Sequence, residues 1–240
     1  MKSLLRNFYL RRQFFPGVLG LFFNPFYYAR LGLANAIRRH APALRGRLLD
    51  VGCGTKPYRE LFAADTYVGL DVHTAASQAR GTADVLYDGT TFPFGDSSFD
   101  GVVCNQVLEH VFNPGGFLSE LHRVLRPDGK LLLTVPFVWD EHEQPYDYAR
   151  YSSFGLRSLL EANGFAVREQ EKLGADAGTL FQLLNGYLYK VTLPLPGWAQ
   201  LFLTGTLMAV VNVLAVVAAR LLPKNADLYL DQLVLAEKRA

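Results

Sequence analysis

The stretch Leu48-Leu49-Asp50-Val51-Gly52-Cys53-Gly54-Thr55 ends an apolar run in two glycines. Asp71 follows Asp50 by twenty-one residues and closes a second apolar run, Tyr67-Val68-Gly69-Leu70-Asp71-Val72. Glycines at such a turn let backbone approach a ligand with no Cβ in the way. An acid near that spacing is placed to accept hydrogen bonds from ribose hydroxyls. Together these residues point to a cofactor that contains a nucleoside. A dinucleotide site asks for a small residue where this chain has Pro57, which argues against NAD or FAD. No G-x-x-x-x-G-K-[ST] occurs, which argues against a phosphate-cradling loop. A second group of polar residues lies later: His110, then His142, Tyr146, Asp147, Tyr148, Arg150 and Tyr151 in the segment EHEQPYDYARYS. Its aromatics, acids and arginine suit a substrate pocket or lid, with Tyr146, Arg150 and Tyr151 as binding groups. His110, His142 and Tyr148 are the groups able to move a proton there. Cys53 and Cys104 read as packing residues rather than nucleophiles, and no disulfide framework is suggested. No metal ligands are assigned.

These residues need a scaffold. From Arg47 onward the chain alternates between strand and helix patterns. Strands are expected at Leu48–Val51, Tyr67–Val72, Asp84–Asp88, Phe99–Asn105 and Lys130–Val135, with a sixth beginning at Phe165 and a last at Leu228–Leu235. Continuous Val- and Leu-rich runs of this length suit strands covered on both faces. Asn113-Pro114 reads as a helix cap with proline at the first helical position. Phe117, Leu118, Leu121, Val124 and Leu125 then share a face. Ser152 or Ser153 starts another helix, closed by Asn163-Gly164. The expected fold is α/β: a doubly wound, mostly parallel seven-stranded sheet of Rossmann-like type. Ligands of such sheets bind beyond the carboxyl ends of the strands, where Gly52, Gly54 and Asp71 fall.

The same residues resemble a known family. Leu48–Thr55 looks like motif I of the class I S-adenosylmethionine-dependent methyltransferases. FPFGDSSFDGVVCNQVLEHV (92–111) and LHRVLRPDGKLLLTVP (121–136) resemble the small-molecule branch known as type 11. The resemblance covers roughly residues 47–173 and the last strand. It implies S-adenosyl-L-methionine as cofactor. Gly52, Cys53 and Gly54 would border its methionine and ribose parts, with Asp50 near the amino group and Asp71 on the ribose hydroxyls. Asp88 sits where the family has an acid beside the adenine, with Gly89 and Thr90 following. Asn105 and Gln106 would face the methionine end. Many members carry glycine at the position of Lys56, a departure expected to tighten that loop.

Charge and hydropathy set the rest of the chain apart. The net charge of +2 hides nine Lys or Arg and no Asp or Glu in residues 1–49. Residues 1–46 form a basic leader rich in aromatics (Phe14, Phe15, Phe22, Phe23, Phe26, Tyr27, Tyr28), expected to be a helical extension of a methyltransferase domain at 47–240. No charged residue lies between Lys190 and Arg220, and Trp198–Leu222 is long enough to span a bilayer as a helix. A hydrophobic helical insertion is therefore expected at about 178–223. If strands on both sides of it share one sheet, a single crossing is impossible. Peripheral insertion from the cytoplasmic face, with the basic aromatic leader on anionic lipid, is the favoured reading. Packing on the protein's own core or on a second copy of the chain are the alternatives. A nucleic-acid partner is disfavoured. The expected activity is methyl transfer to a small, hydrophobic or lipid-linked acceptor. The rival readings are a soluble enzyme for a polar metabolite or sugar, and a non-catalytic binding module.

Overall fold

The structure, a computed structural model, describes residues 11–239. Lys2 and Arg6 of the basic leader lie outside the described residues. The chain divides into two compact units. One comprises residues 37–137, 141–171 and 232–240, and the other residues 1–36, 138–140 and 172–231.

The first unit holds the sheet. Its strands are β1 (Gly46–Val51), β2 (Ala64–Val72), β3 (Val85–Tyr87), β4 (Phe99–Asn105), β5 (Leu125–Pro136), β6 (Phe165–Leu173) and β7 (Asp231–Lys238). They lie in the order β3-β2-β1-β4-β5-β7-β6. The pairings β1/β2, β1/β4, β2/β3 and β4/β5 are all parallel. The seven-stranded, mostly parallel sheet expected from the sequence is what forms. Leu48, Leu49 and Val51 of β1 are buried, as are Val102, Val103 and Cys104 of β4. Consecutive buried residues on one strand mean that both faces of the sheet are covered.

Local rules set the helices of this unit. In α4 (Pro114–Val124) the Asn113 side chain accepts from the Gly116 amide at 3.2 Å, and Pro114 opens the helix. Its buried face is Phe117, Leu118, Leu121 and Val124. In α5 (Ser153–Ala162) the cap is Ser152, whose hydroxyl accepts from Gly155. The short α3 (Ala75–Arg80) is capped reciprocally by Thr74 and Ser77.

The second unit is helical. It contains α1 (Gly20–Phe23), most of α2 (Tyr27–His40), α6 (Gly178–Thr192) and the continuous helix α7 (Gly197–Leu221), which carries a π turn at Thr204–Met208. Its interior is polar at key points. The buried Asn212 side chain donates to the carbonyls of Leu21 (2.9 Å) and Asn24 (3.0 Å) and accepts from Asn185 (2.9 Å). Gln182, also buried, accepts from the Tyr28 and Ala29 amides and donates to the Pro25 carbonyl. The large apolar side chains point outward: Leu180, Leu184, Tyr187 and Val191 on α6, and Leu201, Phe202, Val210, Val213, Leu214 and Val217 on α7. Small residues such as Ala209, Ala215 and Ala218 are buried instead.

Several strand boundaries differ from the sequence reading: β1, β2 and β5 start earlier than expected, β5 at Leu125 rather than Lys130, and β3 is shorter at both ends. The last strand starts at Asp231 rather than Leu228, because Tyr229 and Leu230 are buried in a loop that bonds the Leu173 carbonyl. The sixth strand continues through its charged residues to Leu173. It lies at the edge of the sheet, where Arg168 pairs with Glu237 and Glu171 with Arg39. Charged side chains suit an edge strand.

Candidate active site

All the candidate site residues lie in the first unit. Cofactor-side residues gather at the carboxyl ends of β1, β2, β3 and β4. After β1 the chain turns at Gly52, with the Gly52 and Cys53 amides both donating to the Leu70 carbonyl. Gly52 has φ +67°, and a Cβ there would stand 2.4 Å from Val107 Cγ2. Glycine is therefore required twice over, by conformation and by contact. Gly54 has φ +51°, and a Cβ there would meet nothing within 4 Å. Its face at the carboxyl end of β1 is open.

Lys56, the departure from the family pattern, adopts φ +52°, a conformation glycine enters freely. Its ammonium donates to Asp84 Oδ2 at 2.6 Å, and the same oxygen accepts from the Gly69 amide. The ion pair offsets the left-handed backbone and ties the loop to the approach of β3. It also commits Asp84, which leaves Asp88 as the acid at the end of β3.

Asp50 is buried and accepts from the Tyr67 hydroxyl at 2.9 Å. Burial pushes its carboxyl up to about 7, against the opposing effects of the Tyr67 hydrogen bond and the nearby Lys56. Asp71 uses Oδ1 on the Val72 amide and Oδ2 on Arg80 at 2.9 Å. Asp88 gathers three bonds on Oδ1, from the Thr90 amide, the Thr90 hydroxyl and the Thr91 amide. Those bonds hold its carboxyl below the usual range. Gly89 beside it has φ +88°. Asn105 and Gln106 are both joined to Thr134: its hydroxyl donates to Asn105 at 2.7 Å and accepts from Gln106 at 3.3 Å. Cys53 is buried, and desolvation pushes its thiol up to about 12. The Cys104 thiol is raised well above its usual range by the same cause. Neither thiolate is available near neutral pH.

The second group forms where the segment after β4 meets the loop after β5. His110 sits in a short helical turn, Leu108–His110, and its Nδ1 lies 2.8 Å from the Tyr146 carbonyl. The Tyr148 and Ala149 amides donate to the Glu109 carbonyl. Asp147 receives both nitrogens of the Arg150 fork, at 2.6 and 2.7 Å, together with the His142 amide. Arg150 thereby holds the Asp147 carboxyl far below the usual range. The His110 and His142 rings meet edge to face, 4.8 Å between centroids. His110 and His142, 32 residues apart in the chain, are therefore brought together. Tyr146 and Tyr148 are exposed at this site. Tyr151 instead packs against the core, its hydroxyl turned to the Leu108 carbonyl.

Two residues were missed by the sequence reading. Glu109 is fully buried beside the histidines, and an LEH triplet does not say which acid turns inward. Phe112 is 82% exposed and packs edge-on against Tyr148 at 5.4 Å. A lone phenylalanine before Asn113-Pro114 reads as core, so no sequence signal marked it.

Known proteins resemble this chain over part of its length. Residues 49–133 match the family model described as "Methyltransferase domain", type 11. A probable S-adenosylmethionine-dependent methyltransferase of Mycolicibacterium smegmatis is 32% identical over 148 residues, which is 55% of this chain and 57% of that one. Demethylmenaquinone methyltransferase of Mycobacterium tuberculosis is 38% identical over 95 residues, 36% of this chain and 39% of that one. This chain spans between about a third and just over half of the length of the curated relatives it matches here. Among solved structures, the [4+2]-cyclase SpnF superposes with a TM-score of 0.57 at 21% identity, covering 87% of this chain and 81% of its own. Phosphoethanolamine N-methyltransferase 2 of Haemonchus contortus, in complex with S-adenosyl-L-methionine, gives 0.54 at 17% identity, covering 88% and 53%. At such identities the superpositions establish the fold alone.

Proposed function

We propose that the chain is a class I S-adenosylmethionine-dependent methyltransferase of type 11, whose family model matches residues 49–133, and that it transfers a methyl group to a small, hydrophobic or lipid-linked acceptor at a membrane surface. S-adenosylmethionine is the cofactor of this family. The open face at Gly54 and the acids closing β1, β2 and β3 suit it. When bound it supplies an activated methyl on a sulfonium, so the protein's tasks are alignment and exclusion of water. In this reading Gly52, Cys53 and Gly54 line the methionine and ribose parts. Asp71 and Asp88 hold ribose and adenine, while Asn105 and Gln106 border the methionine end. His110, His142 and Tyr148 lie on the acceptor side with Tyr146 and Arg150. There an imidazole takes the proton of an acceptor that must lose one.

Asp50 makes this reading sensitive to pH. With a carboxyl near 7, Asp50 is mostly ionised at pH 8 and mostly protonated at pH 6. Only the ionised form attracts the ammonium of the cofactor's methionine part. Affinity is therefore expected to fall roughly tenfold from pH 8 to pH 6, and Asp50→Asn should flatten that dependence. Titration calorimetry at the two pH values checks it. An equal dependence in the variant would remove Asp50 from the role.

The observation that carries the acceptor class is the inverted helical unit. Its amide side chains are buried and hydrogen-bonded, alanines share the packed face of α7 with Met208 and Val211, and most large apolar side chains of α6 and α7 face out. That distribution suits helices packed in lipid, where small residues let helices approach and polar groups join them. α7 has the length and hydropathy of a span. Yet β6 and β7, on either side of it in the chain, are neighbours in one sheet. A single crossing would part them, so α6 and α7 are read as a hairpin dipping into one leaflet. Flotation with vesicles of anionic phospholipid tests this. The full chain is expected to float, and Phe202→Asp with Leu214→Asp to lower the bound fraction at least about tenfold. A wild-type chain that stays monodisperse without detergent and does not float would return the acceptor to the soluble, polar class.

A further inference from the structure

Glu109, His110 and His142 each offer one ligand atom, and the three atoms lie within 4.8 Å of one another. Both imidazoles are oriented from behind. A carbonyl can only accept, so His110 Nδ1, 2.8 Å from the Tyr146 oxygen, carries the proton and Nε2 the lone pair. That Nε2 lies 3.8 Å from Glu109 Oε1. His142 Nδ1 lies 3.3 Å from Asp147 Oδ2. Arg150, forked onto Asp147, also lies 3.5 Å from the same Nδ1 through Nη2, so the ring is held from its Nδ1 side. An acceptor holding the far nitrogen of a histidine is the recurrent outer arrangement of metal-ligating imidazoles. The third donor is a carboxylate with 0% exposure, and a carboxylate removed from water calls for positive charge beside it.

We propose that Glu109, His110 and His142 bind a divalent metal ion of the zinc class. Two imidazoles and one carboxylate are a donor set for such ions, and three protein ligands leave a coordination position open. Donors around a tetrahedral ion at about 2 Å stand roughly 3.3 Å apart, so the three atoms, now within 4.8 Å of one another, close by up to about 1.5 Å when an ion binds. The open position would take an oxygen or nitrogen of the acceptor and fix it for methyl transfer. This last role rests on the methyltransferase reading, whereas metal binding does not.

The test uses the full-length, untagged chain freed of metal by chelation. Zn²⁺ binding is followed by calorimetry, Co²⁺ binding by its visible absorption, and S-adenosylmethionine binding in parallel. Stoichiometric Zn²⁺ binding and a tetrahedral Co²⁺ spectrum are expected. His142→Ala should abolish both, with cofactor affinity and thermal stability kept. Asp147→Asn, which removes no ligand, should weaken Zn²⁺ roughly 10- to 100-fold. Absence of Zn²⁺ and Co²⁺ uptake by a chain that binds cofactor would overturn the site and leave the enzyme reading intact. Uptake that His142→Ala and His110→Ala leave unchanged would also overturn it. Metal uptake without cofactor binding would keep the site and sink the methyltransferase reading.

Discussion

Asp71→Ala is expected to weaken S-adenosylmethionine binding at least about 100-fold while leaving the domain folded. A carboxylate accepting from two ribose hydroxyls makes charge-assisted bonds of about 1.5–3 kcal/mol each, so their joint loss is two or more orders of magnitude in affinity. The geometry supplies the control. Asp71 Oδ2 is held by Arg80, whose side chain is largely exposed on α3 and is able to swing away. Arg80→Ala is therefore expected to leave affinity unchanged or to raise it, because the carboxylate no longer has to exchange one partner for another. If Asp71 only ends its strand, through the bond to the Val72 amide, the result inverts: Asp71→Ala lowers the melting temperature and spares affinity. Calorimetry on both variants, with thermal unfolding alongside, separates the two roles.

What made the cofactor side legible is that its residues lie where strands end, and strand ends are written locally. β4 was bounded correctly at Phe99 and Asn105 because its buried run is interrupted at both ends by polar residues. The caps at Asn113 and Ser152 were legible for the same reason, each being satisfied within three residues. β6 was harder. Its REQEK stretch has no apolar periodicity, and only its place at the sheet edge, beside Arg39 and Glu237, makes those charges compatible with a strand. Tyr229-Leu230 misled in the other direction, since an apolar run cannot say whether it is strand or buried loop. On the acceptor side the individual residues were visible, but their assembly was not. His142 meets His110 only because the loop after β5 folds back to place Tyr148 and Ala149 amides on the Glu109 carbonyl. Contacts of that kind have no signature in spacing.

The helical unit gives the second large expectation: Asn212→Leu should destabilise it by about 3 kcal/mol or more, despite adding apolar surface to an already greasy helix. Asn212 satisfies two carbonyls, of Leu21 and Asn24, and one amide, of Asn185, in a buried position. Leucine is a good helix former of similar size, so propensity and volume change little. What remains is the cost of stranding buried polar groups, about 1–3 kcal/mol for each. The side-chain amide of Gln182 in α6 likewise binds Pro25, Tyr28 and Ala29 of the leader. Residues 21–29 of the leader and helices α6 and α7 thus form one hydrogen-bonded body, with Asn212 at a junction of three segments. Limited proteolysis and chemical unfolding in detergent micelles measure the effect. The leader should become cleavable in Asn212→Leu, whereas cofactor affinity, which resides in residues of the sheet unit, should persist. The double variant Asn185→Leu/Asn212→Leu should lose less than the sum of the two singles, because each single strands the partner of the other. If Asn212→Leu is neutral or stabilising, this unit is held by ordinary apolar burial. The outward apolar face would then need a protein partner rather than lipid to cover it.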